Sequence, residues 1–183
     1  TPLHQFLQAI ELPLAQIYLD PNNPRFTAAD WVYIPVENWD KPDVQEVAQR
    51  RLIADFDVEK LRMSMEVNGY LPIDRVIVKK FADGKYVVLE GNRRICSAKL
   101  IGQFAIDGSN VSPAVLDSLT SIPCLQYTGT DDDAAWVFQG LRHISGVAEW
   151  SAFNKAKLLV EQMEKDSLNL TQVGKRFGLT PHG

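Results

Sequence analysis

The chain has 183 residues, 45% of them hydrophobic and 23% charged, which suits one soluble globular domain carrying at most a small appendage. Its formal net charge of −4 excludes a uniformly basic nucleic-acid coat, though not a local basic site. No apolar run reaches the roughly 20 residues that span a bilayer, and the opening "TPLHQFLQAIELPL" lacks the basic start and small-residue cleavage site of a signal peptide.

In chain order, "LPLAQIYLDPNNPRF" predicts a short strand from Ala15 to Leu19, ended by the Pro/Asn cluster at 21–24. Residues 27–42, with Trp31, Tyr33 and Trp39, fit neither the helical nor the strand period. They read as a long ordered loop or insertion, either a lid over a ligand or a packed flap. "PDVQEVAQRRLI" then opens a helix, with Pro42 near its first position and Asp43 in its first turn. "DVEKLRMSMEVNG" is an amphipathic helix with Asp57 as cap, Val58, Leu61 and Met65 inward, and Gly69 as its stop. "RVIVKK" is a strand, turned by "DGK" at 83–85 into the strand "YVVLE". A helix follows "EGNRR" to about Gly102, then a Gly/Ser/Asn/Pro loop and the strand "IPCLQY". "DDDAAWVFQGLRHI" gathers three aspartates in the first turn of a helix, where the dipole favours them. "SAFNKAKLLVEQMEKD" is a long helix capped by Ser151, with Phe153, Ala156, Leu159, Val160 and Met163 on one face. The predicted class is α+β, a small mixed sheet covered by helices and followed by a helical tail. Cys96 and Cys124 form no CxxC pair and do not cluster with the three histidines, so no metal centre is expected and a reducing cytoplasm is the simplest home.

The stretch "YVVLEGNRRICSAKLIG" concentrates the chemistry. Arg93 and Arg94 fall where a helix begins, and cations there are disfavoured by roughly 0.3–1 kcal/mol each. A strand-to-helix turn with a glycine leaves backbone N–H groups pointing outward as an anion site. A bound polyanion would offset the repulsion, and guanidinium suits phosphate through its planar fork of donors. The competing reading pairs both arginines with surface carboxylates; the turn alone does not separate the two.

Four segments in order resemble the amino-terminal domain of the ParB family, the ParB/sulfiredoxin-like fold, across about residues 12 to 160: "LDPNNPRF", "VEKLRMSMEVNGYLPIDRVIV", "YVVLEGNRRICSAKLIG" and "IPCLQYTGTDDDAAWVFQGLRHISG". The third is similar to the family's G-E-R-R box. The resemblance implies a nucleoside triphosphate site, for CTP in partition proteins and ATP in some relatives. Gly91, Asn92, Arg93 and Arg94 would then cradle phosphates. Gly69, Tyr70, Leu71 and Pro72 would line the nucleoside pocket, with Arg25 as a basic wall. For Tyr70 a core role competes with stacking on a ligand, and for Arg25 a local salt bridge competes with a ligand contact.

The third box departs from the family. Arg142 and His143 stand where an acidic residue and an asparagine are expected, which weakens the case for a magnesium ion held by that carboxylate. Arg142 would contact phosphate directly, and His143 is either a ligand donor or a helix-end cap. Glu90 is the remaining carboxylate, a candidate metal ligand or general base, or else a partner of Arg93 or Arg94. Sulfiredoxin chemistry is not expected, because Asn92 stands where that branch needs cysteine and Cys96 lies a turn further on.

The tail "LNLTQVGKRFGLTPHG" opens like a helix-turn-helix: Thr171 caps a first helix, Gly178 turns, Thr180 and Pro181 start a second. Its recognition helix is expected beyond Gly183, and Lys175 and Arg176 are candidate DNA-phosphate contacts. The expected layout is a nucleotide-binding domain over 1–148, with an insertion at 27–56, then a linker helix and helix-turn-helix opening over 149–183. The leading reading is a nucleotide-controlled, homodimeric DNA-associated protein of partition, plasmid, phage or mobile-element type, with or without slow hydrolysis. An enzyme of the same fold, a small-molecule kinase or a nuclease, is the alternative, and an interaction module that binds no nucleotide is the third reading.

Overall fold

The computed structural model describes residues 3–23, 26, 32–73, 75–131, 134–135, 137–138, 163, 169 and 171–172. Its strands are β1 (Leu7–Leu12), β2 (Ile17–Tyr18), β3 (Val76–Ala82), β4 (Lys85–Glu90) and β5 (Ile122–Tyr127). The helices are α1 (Pro42–Asp55), α2 (Val58–Asn68), α3 (Asn92–Ile106) and α4 (Pro113–Ser118). The strands form one mixed sheet in the order β1-β5-β3-β4-β2. β3 pairs antiparallel with β4 and parallel with β5, while β1–β5 is antiparallel and β2–β4 parallel.

Side-chain alternation along the strands sends Val76, Val78, Val88, Ile122 and Cys124 to one face, where they meet Ala48 and Leu52 of α1, Val58 and Met65 of α2, and Ile95 and Ile101 of α3. The other face carries Val87, Leu89 and Tyr127 under Ala134 and Phe138, with Trp39 and Phe81 packed beside them. Both faces of β4 are therefore covered, which is why "VVL" is a continuous apolar run. Ala134, Ala135, Val137 and Phe138 are helical, inside the segment predicted as a helix.

Several boundaries differ from the sequence reading. The strand expected from Ala15 is instead a 3-10 turn, Leu14–Gln16, ahead of the two-residue β2. Pro13 supplies the carbonyl that accepts the Gln16 N–H at 2.9 Å, so the chain turns before it extends. The expected loop after α3 contains α4, where the Ser112 hydroxyl accepts the Val115 N–H at 3.2 Å and Pro113 takes the first position. α3 runs past Gly102 to Ile106, and the Ser109 N–H closes its end onto the Phe104 carbonyl at 2.8 Å. Asp57 occupies the cap position of α2 but makes no side-chain capping bond. In the tail the capping residue is Asn169 rather than Thr171, which is itself helical. The Asn169 Oδ1 accepts the Gln172 N–H and the Gln172 Oε1 accepts the Asn169 N–H, both at 2.9 Å, a reciprocal capping box.

Of the expected insertion, α1 is part of the main core through Ala48 and Leu52. The described loop ahead of it folds onto the second sheet face: the Trp39 ring centroid lies 5.5 Å from that of Phe81. Trp39 Nε1 and Asn22 Nδ2 both donate to the Ile34 carbonyl at 2.8 Å, and Asp40 pairs with Lys85.

Candidate functional site

β4 ends at Glu90, α3 starts at Asn92, and Gly91 joins them with φ 105° and ψ 18°. Leaving a strand directly into a helix requires this left-handed residue, and a side chain there would also strike Val76. The first turn of α3 contains Arg93 and Arg94 and no acidic residue, the reverse of what the helix dipole favours.

The three residues of the helix start have different surroundings. Asn92 is buried: its Oδ1 accepts the Asp20 N–H at 2.9 Å and its Nδ2 donates to the Val88 carbonyl at 3.3 Å. It ties the loop after β2 to the turn, and what it offers a ligand is its backbone N–H. Asn92→Leu should therefore lower stability by about 1–3 kcal/mol, the cost of leaving buried polar groups unpaired, read from the chemical-denaturation midpoint; an unchanged midpoint would mean that this tie carries no weight. Arg93 Nη1 donates to the Phe56 carbonyl at the end of α1, at 3.3 Å. Arg94 turns the other way, toward α2.

There Arg94 lines a crevice of about 200 Å³ together with Leu61, Ser64 and Met65 of α2 and with Gly69, Leu71 and Ile73 of the following loop. This loop is fixed at its base. Gly69 ends α2 with φ 75°, its N–H bonds the Met65 carbonyl at 2.8 Å, and the Ser118 hydroxyl of α4 accepts the Tyr70 N–H at 2.9 Å. A side chain on Gly69 would come within 3.1 Å of that hydroxyl oxygen. Tyr70 itself belongs to the core cluster, with its phenol buried close to the Arg94 guanidinium. Burial pushes its pKa up, and Arg94 opposes that shift.

Thus Gly69 and Leu71 from one predicted segment and Arg94 from another meet at one crevice. Pro72 is exposed on the same loop, and Glu90 is half-buried at the end of β4. Arg25, Arg142, His143, Lys175 and Arg176 lie outside the described residues. Ser64 and Ser118 were not singled out from sequence, where isolated serines carry no signal. Cys96 is buried and its thiol is pushed up to about 12, mainly by burial, so it stays protonated and inert at neutral pH. Among the described residues no three His, Cys, Asp or Glu side chains converge on a metal position, and Glu90 adjoins the turn in sequence.

Neither a family model nor a characterised protein matches the sequence. Solved structures do. The C-terminally truncated chromosome-partitioning protein ParB from Caulobacter crescentus, complexed with CTP-γ-S, matches with a TM-score of 0.58 at 18% identity, over 94% of this chain and 72% of that one. The fold is that of the ParB amino-terminal domain. The same Caulobacter protein complexed to the centromeric parS site matches with a TM-score of 0.38 at 17% identity, over 93% of this chain and 65% of that one.

Proposed function

We propose that this chain is a ParB-like nucleotide-binding domain of a DNA-associated protein, taking a nucleoside triphosphate at the EGNRR turn. The observation that carries the reading is the position of Arg94: one guanidinium, in a first helical turn that holds no acidic residue, faces a crevice walled by the Gly69–Ile73 loop. The likeness to a ParB solved with CTP-γ-S adds support and makes CTP the first nucleotide to test, with ATP second. In this reading the amides after Gly91 and the Arg94 guanidinium hold phosphate oxygens, while Leu71 and the apolar side of α2 border the nucleoside. Arg93, Arg142 and His143 complete the phosphate shell, and Arg25 and Pro72 flank the pocket. Magnesium, if it enters, is held by the nucleotide's own phosphates with Glu90 nearby.

The same reading assigns DNA contact to the 149–183 region, through Lys175 and Arg176 among others, in a cytoplasmic homodimer. No helix among the described residues is long and apolar enough to cross a membrane.

Calorimetry with CTP, ATP, GTP and UTP, each with and without magnesium, tests the assignment. The expected result is saturable binding of at least one triphosphate, weakened by about 1–3 kcal/mol in Arg94→Ala, the scale of a lost charged hydrogen bond. Failure of all four nucleotides to bind, or equal affinity in the variant, would remove the site from this turn. Binding that persists without magnesium would assign charge neutralisation to the arginines.

A further inference from the structure

The second face of the sheet holds a cavity of about 620 Å³, roughly three times the crevice at Arg94 and within the range of about 300–1,000 Å³ usual for small-molecule sites. Trp39, Phe81 and Tyr33 contribute aromatic walls, and Val87 and Leu89 give an apolar floor. Asp20 stands in this lining although it is only 7% exposed. Asp20 Oδ1 accepts the Asn22 N–H at 2.8 Å. Among the described residues the other charged groups on the cavity are Asp131, Lys79 and Lys80. Asp131 is engaged by the Tyr127 hydroxyl at 2.6 Å, and Lys80 pairs with Asp83 at 3.4 Å. Burial pushes the Asp20 carboxyl up to about 6, with only the Asn22 N–H acting in the opposite direction. Among the described residues, then, no lysine neutralises this carboxylate.

A buried carboxylate beside an aromatic wall is complementary to a cation on a flat apolar body: the carboxylate supplies a charged hydrogen bond and the ring faces attract positive charge. We propose that the cavity is a second ligand site, which takes a small organic amine, amidine or guanidine with its charged head on Asp20 and its body against Trp39 and Phe81. Its charged end lies one hydrogen bond from the EGNRR turn, because Asn92 holds the Asp20 N–H. The site stands on its own lining and is independent of what the turn binds, so nucleotide calorimetry and the experiment below fail separately.

The whole chain is titrated with benzamidine and tryptamine, and in parallel with benzamide, benzoate and indole-3-acetate, following the Trp39 indole N–H by NMR. The two cations should shift that signal saturably, and Asp20→Asn, which keeps the shape and the bond from Asn22, should weaken them at least tenfold. Trp39→Leu, followed by the Asn22 backbone N–H that Asp20 accepts, should weaken them as well, and affinity should fall as pH drops through about 6, where the carboxyl takes up its proton. Equal binding of the neutral or anionic analogues, undiminished affinity in Asp20→Asn, or no response to either cation at millimolar concentration would each overturn the proposal.

Discussion

Gly91→Ala should destabilise the fold by about 2–4 kcal/mol, from a strained left-handed backbone and an overpacked contact together. At φ 105° an L residue is strained whatever the space around it. Its Cβ would stand 3.0 Å from Val76 Cγ2 and 3.3 Å from Cγ1, and Val76 is fully buried under the helices with nowhere to retreat. Denaturant midpoints measured on Gly91→Ala, Val76→Ala and the double variant separate the two causes. Removing the valine methyls relieves the clash but not the φ strain, so the double variant should be more stable than the sum of single losses implies. Strict additivity would mean that the contact with Val76 does not set the residue. The result also bears on function. Because packing alone demands glycine here, loss of nucleotide binding in Gly91→Ala would not prove that the backbone touches phosphate. Arg94→Ala is the cleaner probe, since Arg94 lines the crevice and its loss leaves the Gly91 backbone and its contact with Val76 untouched.

How much of this was legible in the sequence depended on how local each cause is. α2, β3, β4 and the start of α3 were readable because long periodic runs are punctuated by residues with one physical meaning: Gly69 stops a helix, Gly91 joins a strand to a helix. β1 was not, because an edge strand pairs on one side only, and its side chains, mostly exposed or half-buried, give "LQAIEL" no clean alternation. β2 is two residues long, too short for any period to be expressed. α4 did leave a local mark, Ser112-Pro113, which polar surroundings made look like loop, and in the tail the Asn169-x-x-Gln172 box was passed over for Thr171, two residues further on. At the site, motif residues on one turn were readable, but their division of labour was not. The Asn92 side chain is taken by a partner 72 positions earlier in the chain, and one Arg93 nitrogen by a carbonyl 37 positions earlier. Asp20 gave no signal as a site residue, since the burial of a loop carboxylate depends on what the rest of the chain folds over it.

Asp20→Asn should make the protein more stable at pH 8 and should flatten its stability in mildly acidic solution. The carboxyl rises from its ordinary value of 3.8 to about 6, chiefly through burial. Below 3.8 it is neutral in both folded and unfolded chains, and the stability it permits is fully present. Between 3.8 and about 6 the unfolded chain ionises while the folded chain holds its proton, so stability falls as pH rises. Above about 6 both are ionised and the loss levels off at up to about 3 kcal/mol. Asparagine can still accept the Asn22 N–H but never ionises, so this loss should vanish in the variant. Asp40 and Glu59 work in the opposite sense, held low by hydrogen bonds from Lys85 and Arg62, and they are common to both proteins. The readout is therefore the difference between parent and variant, from urea denaturation at intervals from pH 4 to pH 8. That difference should widen through this window in favour of Asp20→Asn; parallel curves would mean that the Asp20 carboxylate ionises in the folded protein as freely as in water.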